Sequence, residues 1–366
     1  AAELAALIAN VNKGSSLANK NFIINGAMNV AQRGTSQTGI GGGSNEGYKT
    51  VDRFSIGGDG SSAGRLTMTQ TADGPSGFAN CLKLACTTAD TSIAAGEYLV
   101  LEHAFEGQNL QSIAKGTADA KPITVSFYVK GNASATYVVE LNDQDNSRSI
   151  SKSFSVTTSW SRVELNIPAD TTGAFDDDNA KSLSLYFWLH SGSNFSSGTL
   201  NTSWGSRTSA NIAVGISSFF DSTSRTFFMT GLQVEIGEKA TEFEHEPFET
   251  SFLKASRYYH RITYDNGSNR SFPAYNSSTT QAIANHTYPV PMRTRPTAIE
   301  TNGTASDYDV AHTNTATNCS AVPSYNEATI FGTSIVGTVS SGLTAGQGSQ
   351  LRLKNSGAYL AWSAEL

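Results

Sequence analysis

The feature that most constrains this chain is an alternation of apolar and polar residues in short runs, each closed by a polar or glycine-rich turn. In ITVSFYVKG, Ile123, Val125, Phe127 and Val129 alternate with Thr124, Ser126, Tyr128 and Lys130. YVVEL (137–141), WSRVELNIP (160–168), KSLSLYFWLH (181–190), IAVGISSFF (212–220) and TFFMTGLQVEI (226–236) keep the same period. Successive side chains of a strand point to opposite faces, so a period of two predicts strands with one buried face. Turns such as LNDQDNSRS (141–149) and GAFDDDNAKS (173–182) separate them. Strands and turns of this kind predict antiparallel sheets packed as a two-layer sandwich. There is no fixed short repeat, which argues against a solenoid or β-helix.

The 366 residues give room for two domains. Charged residues make up only 15% and glycines number 33, a balance that suits an all-β protein with exposed polar turns. A net charge of −6 weighs against a broad phosphate-binding surface, so no nucleic-acid partner is expected. No run approaches the ~20 apolar residues that cross a bilayer, so no membrane insertion is expected. Cys81, Cys86 and Cys319 cannot all pair within one chain and lack zinc spacing; buried reduced thiols are expected. The opening AAELAALIANVNKG lacks an initiating Met and the basic start of a secretory signal, so the chain is expected to begin inside a longer or processed product.

In that opening segment Leu4, Leu7, Ile8 and Val11 form a helical stripe, ended by KGSS. A helix of about 12 residues is marginal alone and needs a partner. Either its own domain supplies one, or identical chains do, as a parallel trimeric coiled coil; the terminal position and the Gly-Ser break favour the second. The expected organisation is a helix and connector over 1–20, a β-sandwich over 21–248, a short helical linker over 249–256 and a smaller C-terminal β domain over 257–366. YPVPMRTRPT (288–297) has a proline density that excludes a central strand.

The acidic run GLQVEIGEKATEFEHEPF (231–248) puts Glu242, Glu244 and Glu246 on one strand parity and His245 on the other, which reads as a solvated seam between domains. Asp143 and Asp145 in NDQDN, with Asp176 and Asp178 in DDDN, are the calcium candidates, because hard oxygen ligands gather in turns; the same residues also favour turns without any ion. No other cofactor is indicated. There is no G-x-S-x-G elbow, no H-E-x-x-H pair and no phosphate-binding G-x-x-x-x-G-K-[ST] loop, and the six histidines are scattered. Cleavage of a glycosidic bond would need two carboxylates brought together across strands; no enzyme activity is expected. Sugar binding needs exposed rings among polar groups. Trp204, Tyr264, Tyr275 and Tyr325 stand in polar loops and are the carbohydrate-binding candidates, whereas Trp160 and Trp188 lie in strands and are expected in the core.

NFIINGAMNVAQRG (21–34), YKTVDRF (48–54), the 231–248 segment, LKASRYYHR (253–261) and YPVPMRTRPT together resemble tail fibre proteins of tailed bacteriophages, over roughly residues 21 to 300. The central part is also similar to carbohydrate-binding jelly rolls, which share the Asn-Gly start and the SFYVKG and WSRVEL strands. The resemblance implies a homotrimeric fibre assembled in the host cytoplasm and joined at its N-terminal end to phage tail or adaptor proteins. In the virion it would attach to a host surface polysaccharide, such as lipopolysaccharide, without catalysis. Two other readings stand beside it: a purely structural tail component, and a polysaccharide depolymerase.

Overall fold

The structure is a computed structural model that describes residues 19–264, 267 and 269–366. Leu4, Leu7, Ile8 and Val11, and the trimerising helix expected there, lie outside the described residues. The chain divides into two compact units, one running to Ser251 with Leu366 added, the other Phe252–Glu365. Both are built from antiparallel sheets.

The first unit contains β1 (Ser36–Ile40), β2 (Gly47–Tyr48), β3 (Ser55–Gly58), β4 (Arg65–Thr71), β5 (Cys81–Thr88), β6 (Tyr98–Glu106), β7 (Ile123–Gly131), β8 (Ala135–Asp143), β9 (Arg148–Val156), β10 (Ser161–Ile167), β11 (Lys181–Ser191), β12 (Gly205–Ser206) and β13 (Thr226–Ile236). One sheet runs β1-β4-β5-β13-β7-β10 and the other β12-β9-β8-β11-β6-β3-β2. The inner parities of both sheets share one core: Val125, Phe127 and Val129 from the first, Leu183, Leu185, Phe187 and Leu189 from the second. Phe127 stands at its centre, edge-on to Phe154 and Phe187 with ring centres 5.1 Å away in each case. This is the sandwich that the alternation predicts.

Residues 19–35, before β1, carry no helix or strand, yet Ile23, Asn25, Met28 and Val30 are buried. Its backbone groups therefore need partners outside a ladder. Asn25, in the left-handed region at φ 65°, donates from Nδ2 to the carbonyls of Val30 and Asp52 (2.9 and 3.0 Å), and its Oδ1 accepts from the Val30 N–H. The Asp52 carboxylate accepts from the Gln32 backbone and side chain. The same segment is sewn to β13: Asn21 Nδ2 donates to the Leu232 carbonyl, Asn21 Oδ1 accepts from the Val234 N–H, and the Leu232 N–H donates to Gly26 O. A Cβ at Gly26 would lie 2.1 Å from Leu232 O, so only glycine fits this crossing.

Beyond β13 the acidic run is not merely solvated. Glu244 Oε1 and Oε2 accept from the Asn19 and Asn21 backbone N–H groups (2.6 and 2.9 Å), and His245 packs with Phe78 and Phe243. A carboxylate between two N–H donors stabilises the chain crossing, which strand parity alone does not reveal. The chain then enters helix α1 (Phe248–Ser256).

The second unit contains β14 (Tyr259–Thr263), β15 (Arg270–Asn276), β16 (Gln281–Thr287), β17 (Glu300–Thr301), β18 (Tyr308–His312), β19 (Thr315–Asn318), β20 (Ser324–Ala328), β21 (Gly332–Thr338), β22 (Gly348–Leu353) and β23 (Tyr359–Ser363). Its sheets run β14-β23-β17 and β19-β18-β22-β15-β16-β21-β20. The proline-rich 288–297 stretch carries no strand. Phe272, Tyr308, Leu351, Leu360 and Trp362 anchor the core. Against it, His260 and His286 meet Nε2 to Nε2 at 3.1 Å, and both rings stack on Trp362. Burial, with the neighbouring imidazole and Arg270, lowers His260 to about 3; burial and Arg270 lower His286 to about 4.

All three cysteines are free and buried. Burial raises the Cys81 and Cys86 thiols to about 11 and Cys319 to about 12, so none is poised as a thiolate.

Two outcomes follow. Gly26→Ala forces a backbone clash at Leu232 and is expected to destabilise the first unit by about 1–3 kcal/mol; a thermal melt in which its transition is unmoved would contradict the crossing. The second unit should respond to acid. Neutral His260 and His286 are kept in the fold, whereas an unfolded chain binds their protons near pH 6.5. The stability they contribute is thus whole above that pH and declines as pH falls toward about 3 to 4. Replacing both with Gln should flatten the acid limb of the second unit's melting profile.

Candidate functional site

The four ring candidates do not converge. Trp204, in the first unit, packs half-buried on the core; its Nε1 donates to Pro168 O (2.9 Å), and the Lys115 ammonium lies 5.3 Å from its ring centre. It closes a small pocket shared with Phe175, Leu183 and Asp170 and is engaged there rather than presented as a platform. Tyr264 packs on the second unit's core at the end of β14. Tyr325, on β20, is half-buried. Tyr275, on β15, is 50% exposed and is the one candidate ring that faces solvent openly. Trp188 is buried as expected, but on the outside of the sandwich rather than between the sheets. Trp160 is only half-buried, beside Lys130 and Phe228.

The two acidic turns touch through Asp145 and the Asp176 N–H, and the first of them meets a cation that the chain supplies itself. Lys115 Nζ donates to Asp143 Oδ2 and to the carbonyls of Thr172 and Gly173 (3.0 and 2.7 Å), and lies 3.2 Å from Asp170 Oδ2. Two carboxylates and two carbonyls are the donor set that calcium favours, and here an ammonium takes it. Asp143 also accepts from Asn146, and Arg148 grips Asp170 through two bonds of 2.9 Å. Burial would raise the Asp170 carboxyl, but Arg148, the Thr172 N–H and Lys115 outweigh it and lower it. Asp145 accepts from the Asp176 N–H and Asp178 from the Ala180 N–H, so these carboxylates shape their turns. Among the described residues no three His, Cys, Asp or Glu side chains converge as a metal would need. Lys115, remote in sequence, forms an ion pair with Asp143, one of the expected calcium ligands.

The outer face of the β9-β8-β11-β6-β3 sheet carries a row of polar side chains, of which Ser151, Glu140 and Ser55 are buried. Ser151, Glu140, Tyr186, Glu102 and Ser55 stand directly opposite one another across five neighbouring strands, with Tyr48 of β2 next in line. Adjacent strands lie ~4.8 Å apart, so the row is on the order of 20 Å long. Half of the face is covered: residues of the 192–218 loop, including Phe195 and Ile212, pack on Tyr98, Val100, Val138 and Trp188. Tyr186 is partly buried and packs at the edge of the same cluster. There Glu102 Oε1 accepts from Ser184 Oγ (2.7 Å) and Lys181 Nζ (3.0 Å), Oε2 accepts from Ser55 Oγ (3.3 Å), and Gln144 donates to Ser184 (3.2 Å). Glu140, fully buried, accepts from Trp188 Nε1 (2.8 Å) and Arg207 Nε (2.7 Å). Burial would lower the Arg207 guanidinium; its pair with Glu140 raises it. Burial, with Glu102 beside it, pushes the Tyr186 phenol up to about 12, so the ring stays neutral.

Chemically, this arrangement offers a neutral ring flanked by oriented acceptors and donors. Two carboxylates flank Tyr186, but each already carries a cation, Lys181 on Glu102 and Arg207 on Glu140. A glycosidic acid is instead set apart from cations. Sequence reading passed over Glu102, Glu140 and Tyr186. The available signal was parity: each is a polar or amphipathic residue at an outward position of an otherwise apolar strand.

No family model and no curated protein matches the sequence. Among solved structures, the enzymatically active domain of tailspike protein 4 from bacteriophage CBA120 aligns at 10% identity and a TM-score of 0.30, over 60% of this chain and 22% of that one. A CBM4 structure aligns at 11% identity, TM-score 0.30, over 58% of this chain and 98% of that one. The family 11 carbohydrate-binding module of Clostridium thermocellum Lic26A-Cel5E aligns at 11% identity, TM-score 0.29, over 54% and 96%. The chain therefore spans about a fifth of the tailspike chain and nearly all of the two modules. These similarities are too distant to carry the functional reading, which rests on the site.

Lys115→Met should leave Asp143 and Asp170 buried without their shared cation and cost about 3–5 kcal/mol, seen as a lower melting temperature of the first unit. Calcium added to the native protein should leave that temperature unchanged. A rise with calcium would return the cage to the metal reading.

Proposed function

We propose that the chain is a non-catalytic glycan-binding protein and that the Tyr186 face of the first unit takes the glycan. The single observation that supports this is the arrangement at Tyr186: a partly buried neutral ring with Glu102, Lys181 and Gln144 near it as donors and acceptors for sugar hydroxyls. The fuller reading, carried by the sequence resemblance, is a homotrimeric tail fibre of a bacteriophage particle. Residues 1–20 join the copies and meet the tail, and the β units attach to a host surface polysaccharide such as lipopolysaccharide. A shallow site of millimolar affinity is worth only about −4 kcal/mol. Three copies on one fibre raise avidity by about 10² to 10⁴ where geometry allows. The depolymerase reading gains one observation, the Glu102 and Glu140 pair on either side of Tyr186, and loses it to the cations that occupy both.

The test is binding of the full chain to envelope polysaccharide from a susceptible host. Tyr186→Ala is expected to weaken it about tenfold, the scale of one lost ring contact, with polysaccharide length unchanged. Released reducing ends would favour the depolymerase, and absence of binding the purely structural reading. Sedimentation should give a trimer; a monomer with residues 1–20 present would remove the fibre.

A further inference from the structure

The second unit has an open groove of about 770 Å³, bounded by the turn between β18 and β19 and by neighbouring β22 and β15. That volume falls in the range of ligand sites. Small residues keep it open: Ala274, Ala311 and Gly348 line it, and a Cβ built at Gly348 meets no atom within 4 Å. Tyr275, beside Ala274, stands directly opposite Gly348 in the sheet, so its half-exposed ring has no side chain from β22 against that flank. Three polar lining residues, Asn314, Thr315 and Gln350, make no side-chain hydrogen bond among the described residues. Arg352 also lines the groove, but Asp309 holds its guanidinium through two bonds of 2.7 Å. The lining therefore presents neutral donors and acceptors beside an open ring and little uncompensated charge.

We propose that this groove is a second saccharide site, selective for a neutral oligosaccharide, which makes each chain bivalent. The inference rests on the glycan-binding reading but on different residues in a different unit. Acidic sugars are disfavoured because the one lining guanidinium is already paired. Tyr275 supplies the stacking face, and Gln350, Asn314 and Thr315 read hydroxyls.

The experiment is calorimetric titration of the full chain with gluco-, galacto- and manno-configured neutral tetrasaccharides and with a uronic-acid tetrasaccharide. The variants are Gln350→Ala, Gly348→Val and, for the other face, Tyr186→Ala. A neutral tetrasaccharide is expected to bind at two sites per chain. Gln350→Ala should weaken one of them about tenfold, Gly348→Val should abolish that same one, and Tyr186→Ala should spare it. Should Gly348→Val melt early, Gln350→Ala and Tyr275→Ala decide. One site per chain, lost in Tyr186→Ala and untouched by the groove variants, would overturn the second site and leave the first-unit reading standing. One site lost only in the groove variants would keep this site and remove the other. Tighter binding of the uronic-acid ligand at the groove would overturn its neutral selectivity, and no binding of any tetrasaccharide would overturn both readings.

Discussion

The first unit depends on satisfying the backbone of a buried segment that belongs to no sheet. Residues 21–34 cross the end of the sandwich with Ile23, Met28 and Val30 in the core, and their N–H and C=O groups have no ladder to join. Asn21, Asn25, Asp52 and Glu244 supply those partners from their side chains. Gly26 lets the segment approach Leu232 closely enough to bond. The short stretches on which the fibre resemblance rests, the Asn-Gly opening, the Asp-Arg step and the acidic run after β13, thus interlock in one place. Their chemistry is architectural: they close the sandwich where the first and last parts of the unit meet.

With that closure in place, the two faces of the seven-stranded sheet take different roles. The inner face carries leucines and phenylalanines and gains from burial alone. The outer face carries Glu102, Glu140, Ser184 and Tyr186 among valines and Trp188, and each buried polar group there needs a partner. Arg207 and the Trp188 indole serve Glu140; Lys181, Ser184 and Ser55 serve Glu102. The same bonds that make burial of these carboxylates tolerable also set their orientation around the ring.

Lys115 illustrates how a tertiary contact can replace a ligand. Acidic turns that look like an ion site when read along the chain become one only if no internal cation reaches them first. Here a lysine from the stretch between β6 and β7 does, beneath Trp204. One residue thus engages both Trp204, a ring expected on the surface, and Asp143, one of the carboxylates expected to bind calcium.

Much of the fold was legible along the chain. Periodicity identified the inward residues of β7 and β11, and the prolines excluded a strand over 288–297; in β13 a bulge at Gly231 shifts the parity, so that Phe227 and Met229 and then Leu232 and Val234 face the core. The site was not legible. Parity says that Glu102, Glu140 and Tyr186 point away from the core, but it does not say that β11 lies between β8 and β6, an order that skips along the sequence. Exposure of single rings was equally hidden: Tyr275 and Trp204 share the same polar local texture, and only the neighbours that distant segments bring, Gly348 beside one and Lys115 beneath the other, separate an open ring from a closed one. The sequence by itself determined the alternation of faces along the regular strands, because that is a property of the local backbone; the tertiary structure alone decided where bulges shift it and what each side chain meets, because strand order and long-range pairing are set by the packing of the whole unit.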